Sequence, residues 1–233
     1  MSSRLTTVGF DADDTLWHHE RFFRITQSRF TDLLADYTDT ANLSERLGAA
    51  ERRNLGHYGY GVKGFVLSMI ETAIEVTDAQ VPASVISELL DAGREMLAHP
   101  IELLPHARHA VEAVAETHKV ILITKGELLD QERKLAQSGL GDLFDGVEIV
   151  SEKGPDTYRK IFERHGDGPD RSMMVGNSIR SDVIPPIEAG GWGVLVPYGL
   201  VWEHEVAELP QGRVRFHKLA SLGALPGLVA AIG

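Results

Sequence analysis

Short apolar runs separated by amphipathic stretches organise this chain. Leu5 to Phe10, Lys119 to Thr124, Val147 to Val150, Ser172 to Val175 and Gly193 to Val196 have strand length and end in small or polar residues, so they read as five strands. Between them, His106 to Thr117, Leu128 to Ser138, Asp156 to Arg164 and Asp182 to Ala189 read as helices, most with Pro or Gly near a boundary. This alternation predicts an α/β fold, a doubly wound parallel sheet wrapped by helices. The interval between the first two strands breaks the rhythm, because it runs for more than a hundred residues where a crossover needs only a few tens. From Trp17 to Pro100 the periodicity is helical throughout, with Phe22, Ile25, Phe30 and Leu33, and later Val85, Ile86, Leu89, Leu90, Met96 and Leu97. An inserted helical domain at 17–100 is therefore expected, with the core domain formed by 1–16 and 101–233. Gly56, Gly59, Gly61 and Gly64 surround His57, Tyr58 and Tyr60, which predicts a flexible, partly aromatic loop inside the insert.

Composition narrows the class. The 233 residues are 43% hydrophobic and 24% charged, as in an ordinary globular chain. A net charge of −11 disfavours non-specific binding to nucleic acid or an anionic membrane, both of which need excess cations. The absence of cysteine excludes disulfides, thiol catalysis and thiolate zinc sites. No apolar run is long enough for a bilayer span, and a soluble, cytoplasmic protein is expected.

The first strand ends Phe10-Asp11-Ala12-Asp13-Asp14-Thr15-Leu16, with three carboxylates at the carboxyl edge of the sheet, where open α/β folds bind ligands. Strand alternation would point Asp11 and Asp13 the same way, so a cation or shared proton should relieve their repulsion. Magnesium, which prefers oxygen ligands, suits that task. Taken alone, the cluster could also be a capping polar loop. Three more strand ends add chemistry: Thr124-Lys125-Gly126, Ser151-Glu152-Lys153-Gly154-Pro155, and Gly176-Asn177-Ser178 followed by Ser181-Asp182.

In this order the four segments resemble the motifs of the haloacid-dehalogenase superfamily, with the helical insert as its cap domain. The resemblance implies that Asp11 attacks phosphorus to form an aspartyl-phosphate, and that Asp13 protonates the leaving oxygen and later activates water. It further implies that Thr124 and Lys153 hold phosphate oxygens. Magnesium would be bound by Asp11, Asp13 and the fourth motif, Asn177 and Asp182. The dehalogenase branch lacks the second Asp, so Asp13 favours phosphoryl transfer. Two departures from the family pattern stand out: Asn177 replaces the commoner Asp, which shifts the expected metal-binding weight to Asp182, and Gly154 separates Lys153 from Pro155. Lys125, directly after Thr124, could share the phosphate role. The implied activity is magnesium-dependent hydrolysis of a small phosphorylated metabolite, with Tyr58 and Tyr60 as candidate cap contacts. A phosphomutase and a catalytically idle phosphate-binding regulator are the rivals, and sequence alone leaves the substrate and the oligomeric state open.

The remaining polar residues read more plainly. Asp14 suits a turn better than catalysis. Trp17, His18 and His19 could pack, hinge or touch substrate. His106 and His109 read as a solvated helix face. The stretch from Tyr198 to Gly233 reads as a closing tail, with Trp202, His204 and Glu205 free to pack or function.

Overall fold

In the computed structural model, residues 4–200, 202, 207–209, 212 and 214–233 are described, so His204 and Glu205 lie outside the described residues. The chain divides into two compact units, Met1–Glu20 with Ile101–Gly233, and Arg21–Pro100. The second unit starts a few residues later than periodicity suggests, because Trp17 is fully buried with Leu16, Leu5 and Phe10 in the core of the first.

The first unit is built on six strands: β1 (Thr7–Phe10), β2 (Lys119–Lys125), β3 (Gly146–Val150), β4 (Ser172–Gly176), β5 (Trp192–Leu195) and β6 (Phe216–Lys218). Every neighbouring pair is parallel, in the order β3-β2-β1-β4-β5-β6. Strand alternation sorts the side chains onto two faces. Val8, Phe10, Val120, Leu122, Met173 and Val175 pack with Val111, Val114 and Val229. Ile121, Ile123 and Met174 pack with Tyr158, Ile161 and Phe162 on the other. Gly9 lies on that second face, where a Cβ would stand 2.9 Å from the Ile123 Cδ1 atom, so a side chain there would collide with the core.

The first unit's helices are α5 (Ala107–Ala115), α6 (Leu128–Ser138), α7 (Pro155–His165), α8 (Ile184–Glu188) and α9 (Leu225–Ile232). The helix expected over Asp182 to Ala189 divides in two: a π-helical turn at Ile179–Val183, then α8. Pro185 explains the break. It has no N–H to offer the Ser181 carbonyl four residues back, and the Tyr158 hydroxyl donates to that oxygen instead, at 2.9 Å. The sixth strand falls in the expected tail. Its three residues follow no alternating pattern, and pairing with β5 supplies what local sequence does not.

The second unit contains α1 (Glu20–Leu33), which begins on the last residue of the first, then α2 (Thr40–Tyr58), α3 (Val62–Val76) and α4 (Ala83–Ala98). Phe30, Leu34, Leu43, Leu47, Phe65, Met69 and Leu89 form its core. Gly93 lets α3 and α4 approach closely, since a Cβ would lie 2.5 Å from the Val66 Cγ2 atom. The expected glycine-rich loop shrinks to residues 59–61, because α2 runs through Gly56 to Tyr58 and α3 takes in Gly64. Gly59, at φ 70°, terminates α2 in a conformation that favours glycine.

Candidate active site

The strand order reverses beside β1, which lies between β2 and β4, and the carboxyl ends of these strands border the crevice where open α/β sheets take ligands. Asp11 directly follows β1, its N–H still donating to the Val175 carbonyl of β4 at 2.9 Å. The chain then turns: Thr15 and Leu16 N–H both donate to the Ala12 carbonyl. Strand alternation ends there, and Asp11 and Asp13 take separate side-chain partners.

Asp11 is buried. Its Oδ1 accepts from Lys153 Nζ at 2.5 Å and its Oδ2 from the Thr15 hydroxyl at 3.0 Å. The same ammonium donates to Asp182 Oδ1 at 2.7 Å, while the Ser178 N–H donates to Asp182 Oδ2 at 3.0 Å. One cation thus serves two buried carboxylates. Burial, then the Asp182 charge, holds the Asp11 carboxyl above its ordinary range despite Lys153. For Lys153, burial favours the neutral form, but two carboxylates outweigh it and hold the ammonium charged above its usual range. Both carboxylate partners favour the cation, whereas each anion has only a share of it. Asp182 also explains Gly176: a Cβ there would sit 2.3 Å from the Asp182 carboxyl carbon.

Asp13 faces α6. Its Oδ1 accepts from Trp17 Nε1 at 2.7 Å and Lys134 Nζ at 3.0 Å; its Oδ2 accepts from Lys134 Nζ and Gln131 Nε2, each at 2.9 Å. Burial raises this carboxyl's pKa, but His19, Lys134 and the Gln131 hydrogen bond outweigh it and leave the carboxyl below its ordinary range. His19 lies 3.6 Å from Asp13 Oδ2. Burial takes its own pKa down to about 4 against the pull of Asp13, so at neutral pH the ring is uncharged and Lys134 carries the electrostatic load. With Lys134 Nζ 3.3 Å from His19 Nδ1, the neutral ring accepts there and carries its proton on Nε2, towards Asp13.

The other expected residues are placed as follows. Thr124 is buried at the end of β2, its hydroxyl donating to the Lys125 carbonyl at 3.2 Å. Lys125 Nζ donates to the Ser181 hydroxyl at 2.9 Å, which brings it to the fourth-motif turn. Asn177 Oδ1 lies 3.2 Å from the Thr15 hydroxyl. Asp14 is a capping residue at φ 59°, accepting from the His19 and Glu20 N–H groups at the start of α1. His18 Nδ1 is hydrogen-bonded to the Tyr198 hydroxyl at 2.7 Å. His106, with φ 67°, precedes α5 and is exposed, as is His109; Trp202 is half-buried. Tyr58 and Tyr60 belong to the second unit, where the Tyr58 hydroxyl reaches Glu71 Oε1 at 3.4 Å.

A magnesium ion fits this donor set. The available groups are oxygens, as a hard cation requires. Asp11 Oδ2 and Asn177 Oδ1 both face the Thr15 hydroxyl, which has one hydrogen to share between them. Two acceptors therefore converge on one donor, beside a buried carboxylate pair that outnumbers its ammonium. Among the described residues no cluster of three or more His, Asp or Glu is arranged to hold a metal, so amide and main-chain oxygens would have to complete the set.

Sequence reasoning missed Lys134 and Gln131. The apolar pattern of α6 hides them, because its Leu128 and Leu129 are 59% and 70% exposed while Asp130, Gln131 and Lys134 are buried. Only Leu135 of the three leucines packs on the core, so the first turn of the helix, which exposes two leucines and buries Asp130 and Gln131, inverts the usual pattern.

Comparison with known proteins places the fold and the family. A crystal structure of a haloacid dehalogenase-like family hydrolase from Xanthomonas campestris is 43% identical, with a TM-score of 0.88, over 98% of this chain and 91% of that one. Pyrimidine 5'-nucleotidase YjjG of Escherichia coli is 36% identical over 93 residues, and a glyceraldehyde 3-phosphate phosphatase of Methanothermobacter thermautotrophicus is 31% identical over 91 residues. These matches take in 37% of this chain and only 41% and 40% of the two relatives. Among the described residues no helix is long and apolar enough to cross a membrane. The model of the haloacid dehalogenase-like hydrolases matches residues 5–190, and the chain belongs to that family.

Proposed function

We propose that this hydrolase is a magnesium-dependent phosphatase that cleaves a small organic phosphate monoester through an aspartyl-phosphate on Asp11. The observation that carries the reading is the buried Asp11–Lys153–Asp182 group, two carboxylates on one ammonium at the switch point of the sheet. A carboxylate there can approach an anionic phosphate only if positive charge is gathered around it. Magnesium, held by Asp11, Asn177 and the main-chain carbonyl of Asp13, would supply that charge. The phosphatase and nucleotidase relatives support the choice of a phosphate ester.

Each residue then has a task. Asp11 attacks phosphorus in line with the departing oxygen, and the phosphorus–oxygen bond to the organic group breaks. Asp13, which Lys134 holds ionised in the free protein, gains its proton only once the phosphate's negative charge lies beside it. It passes that proton to the departing oxygen and then takes one from the water that releases phosphate from Asp11. Lys153, Thr124 and Lys125 hold phosphate oxygens. The unit at Arg21–Pro100 would act as a cap that selects the ester, with Tyr58 and Tyr60 as its contacts. Purified protein assayed against a panel of phosphate esters, with and without magnesium, tests the reading. Acid-quenched enzyme should carry phosphate on Asp11 and none in Asp11→Asn. Return of labelled phosphate to a second hydroxyl of the organic product would make it a phosphomutase, and no turnover of any ester would refute the reading.

A further inference from the structure

Resting on the phosphatase reading, we infer that Lys134, with Gln131, is a positioning residue that fixes the Asp13 carboxylate for proton transfer. These residues lie three apart on α6 and so share a face. Lys134 spans both Asp13 oxygens, at 3.0 and 2.9 Å, and its Nζ also lies 3.4 Å from Asp130 Oδ2. It is 4% exposed, and burying an ammonium is costly unless it is paired this completely.

Gln131 adds an independent observation. Its Nε2 donates to Asp13 Oδ2 at 2.9 Å and to the Lys125 carbonyl at 2.8 Å, which consumes both hydrogens and sets the amide's orientation. That orientation leaves Gln131 Oε1 buried with no hydrogen-bond partner among the described residues. The loop after β2 is shaped around the same amide: Gly126, at φ 137°, would place a Cβ 2.6 Å from Gln131 Nε2. Trp17 Nε1 closes the remaining side of the carboxylate. Held this way, Asp13 cannot swing about its side-chain torsions, and its oxygens stay where a proton must pass to the departing oxygen and from water.

The test uses the full chain with magnesium, first establishing that the wild type turns over an aryl and an alkyl phosphate. If it turns over neither, the phosphatase reading fails; the positioning role is judged only from the variants of an active enzyme. Lys134→Met should lower kcat about a hundredfold for the alkyl ester, the scale expected of a misplaced catalytic group. KM should stay within about twofold, and the loss for the aryl ester, which departs without much proton help, should be about tenfold or less. Lys134→Arg should restore most of the rate, and Gln131→Leu should show the same leaving-group split, more weakly, if Lys134→Met does not fold. In an Asp13→Asn background, Lys134→Met should cost nothing further. Equal losses for both esters, or a full additional loss in the Asp13→Asn background, would overturn the inference and make Lys134 a structural ion-pair partner.

Discussion

Replacing Asp14 by Asn should stabilise the protein above pH 7 and change little at pH 5. Asp14 is buried at a left-handed position and accepts from two main-chain N–H groups, at 2.8 Å from His19 and at 2.9 and 3.2 Å from Glu20. Burial pushes its carboxyl up from 3.8 to about 7; the Glu20 and His19 N–H groups oppose this, and the Asp13 and Glu20 charges reinforce it. Between those two values the folded protein binds a proton that the unfolded chain has released, so stability falls as pH rises from about 4 to 7 and levels off above. At about 1.4 kcal/mol per pH unit, the interval from 3.8 to about 7 bounds the cost at about 4 kcal/mol. Asn keeps the Oδ1 bonds and tolerates the left-handed backbone, but forfeits the Oδ2 bond, worth about 1 kcal/mol. A net gain of about 1–3 kcal/mol at pH 8 follows. Urea unfolding of wild type and Asp14→Asn at pH 5 and pH 8, with metal chelated, measures it. Equal destabilisation at both pH values, or a larger loss at pH 8, would show that Asp14 ionises without penalty and refute the reasoning.

Asp11→Asn should abolish turnover and leave the circular dichroism spectrum unchanged, since an amide cannot accept the phosphoryl group but fits the same space; wild-type rate in the verified variant would remove Asp11 from the mechanism. Asn177→Ala should raise the half-saturating magnesium concentration more than Asp182→Asn does. Asn177 Oδ1 converges with Asp11 on Thr15, whereas both Asp182 oxygens already accept from Lys153 and Ser178. This reverses the ranking expected from charge alone, and a larger effect at Asp182 would restore it. Gly176→Ala should lose at least about 2 kcal/mol of stability in urea unfolding, because its Cβ would lie 2.3 Å from the Asp182 carboxyl and something must shift. A variant as stable as wild type would mean that the turn at Ile179–Val183 yields easily.

The parallel sheet was legible because its inner strands β1, β2 and β4 are buried on both faces and therefore appear as apolar runs, and the four chemical segments because each follows a strand's end. The sixth strand was not, since Phe216-His217-Lys218 is polar at two of three places and owes its conformation to β5. The π-helical turn was hidden for a different reason: Pro185 announces a break, but not that Tyr158, from α7, would take up the stranded carbonyl.

The same distinction separates the two aspartates. Asp11 is read from its own place in the chain, at the end of β1 and beside β4. The setting of Asp13 depends on Lys134 and Gln131, more than a hundred residues away, on a helix whose exposed leucines point a pattern reader to the wrong face. Apolar periodicity finds the side of a helix that water rejects, whereas α6 turns inward the side that a charge requires. Polar residues at i and i+3 on a helix that follows a catalytic strand end are therefore the pattern to seek when an acid's partner is missing from its own segment.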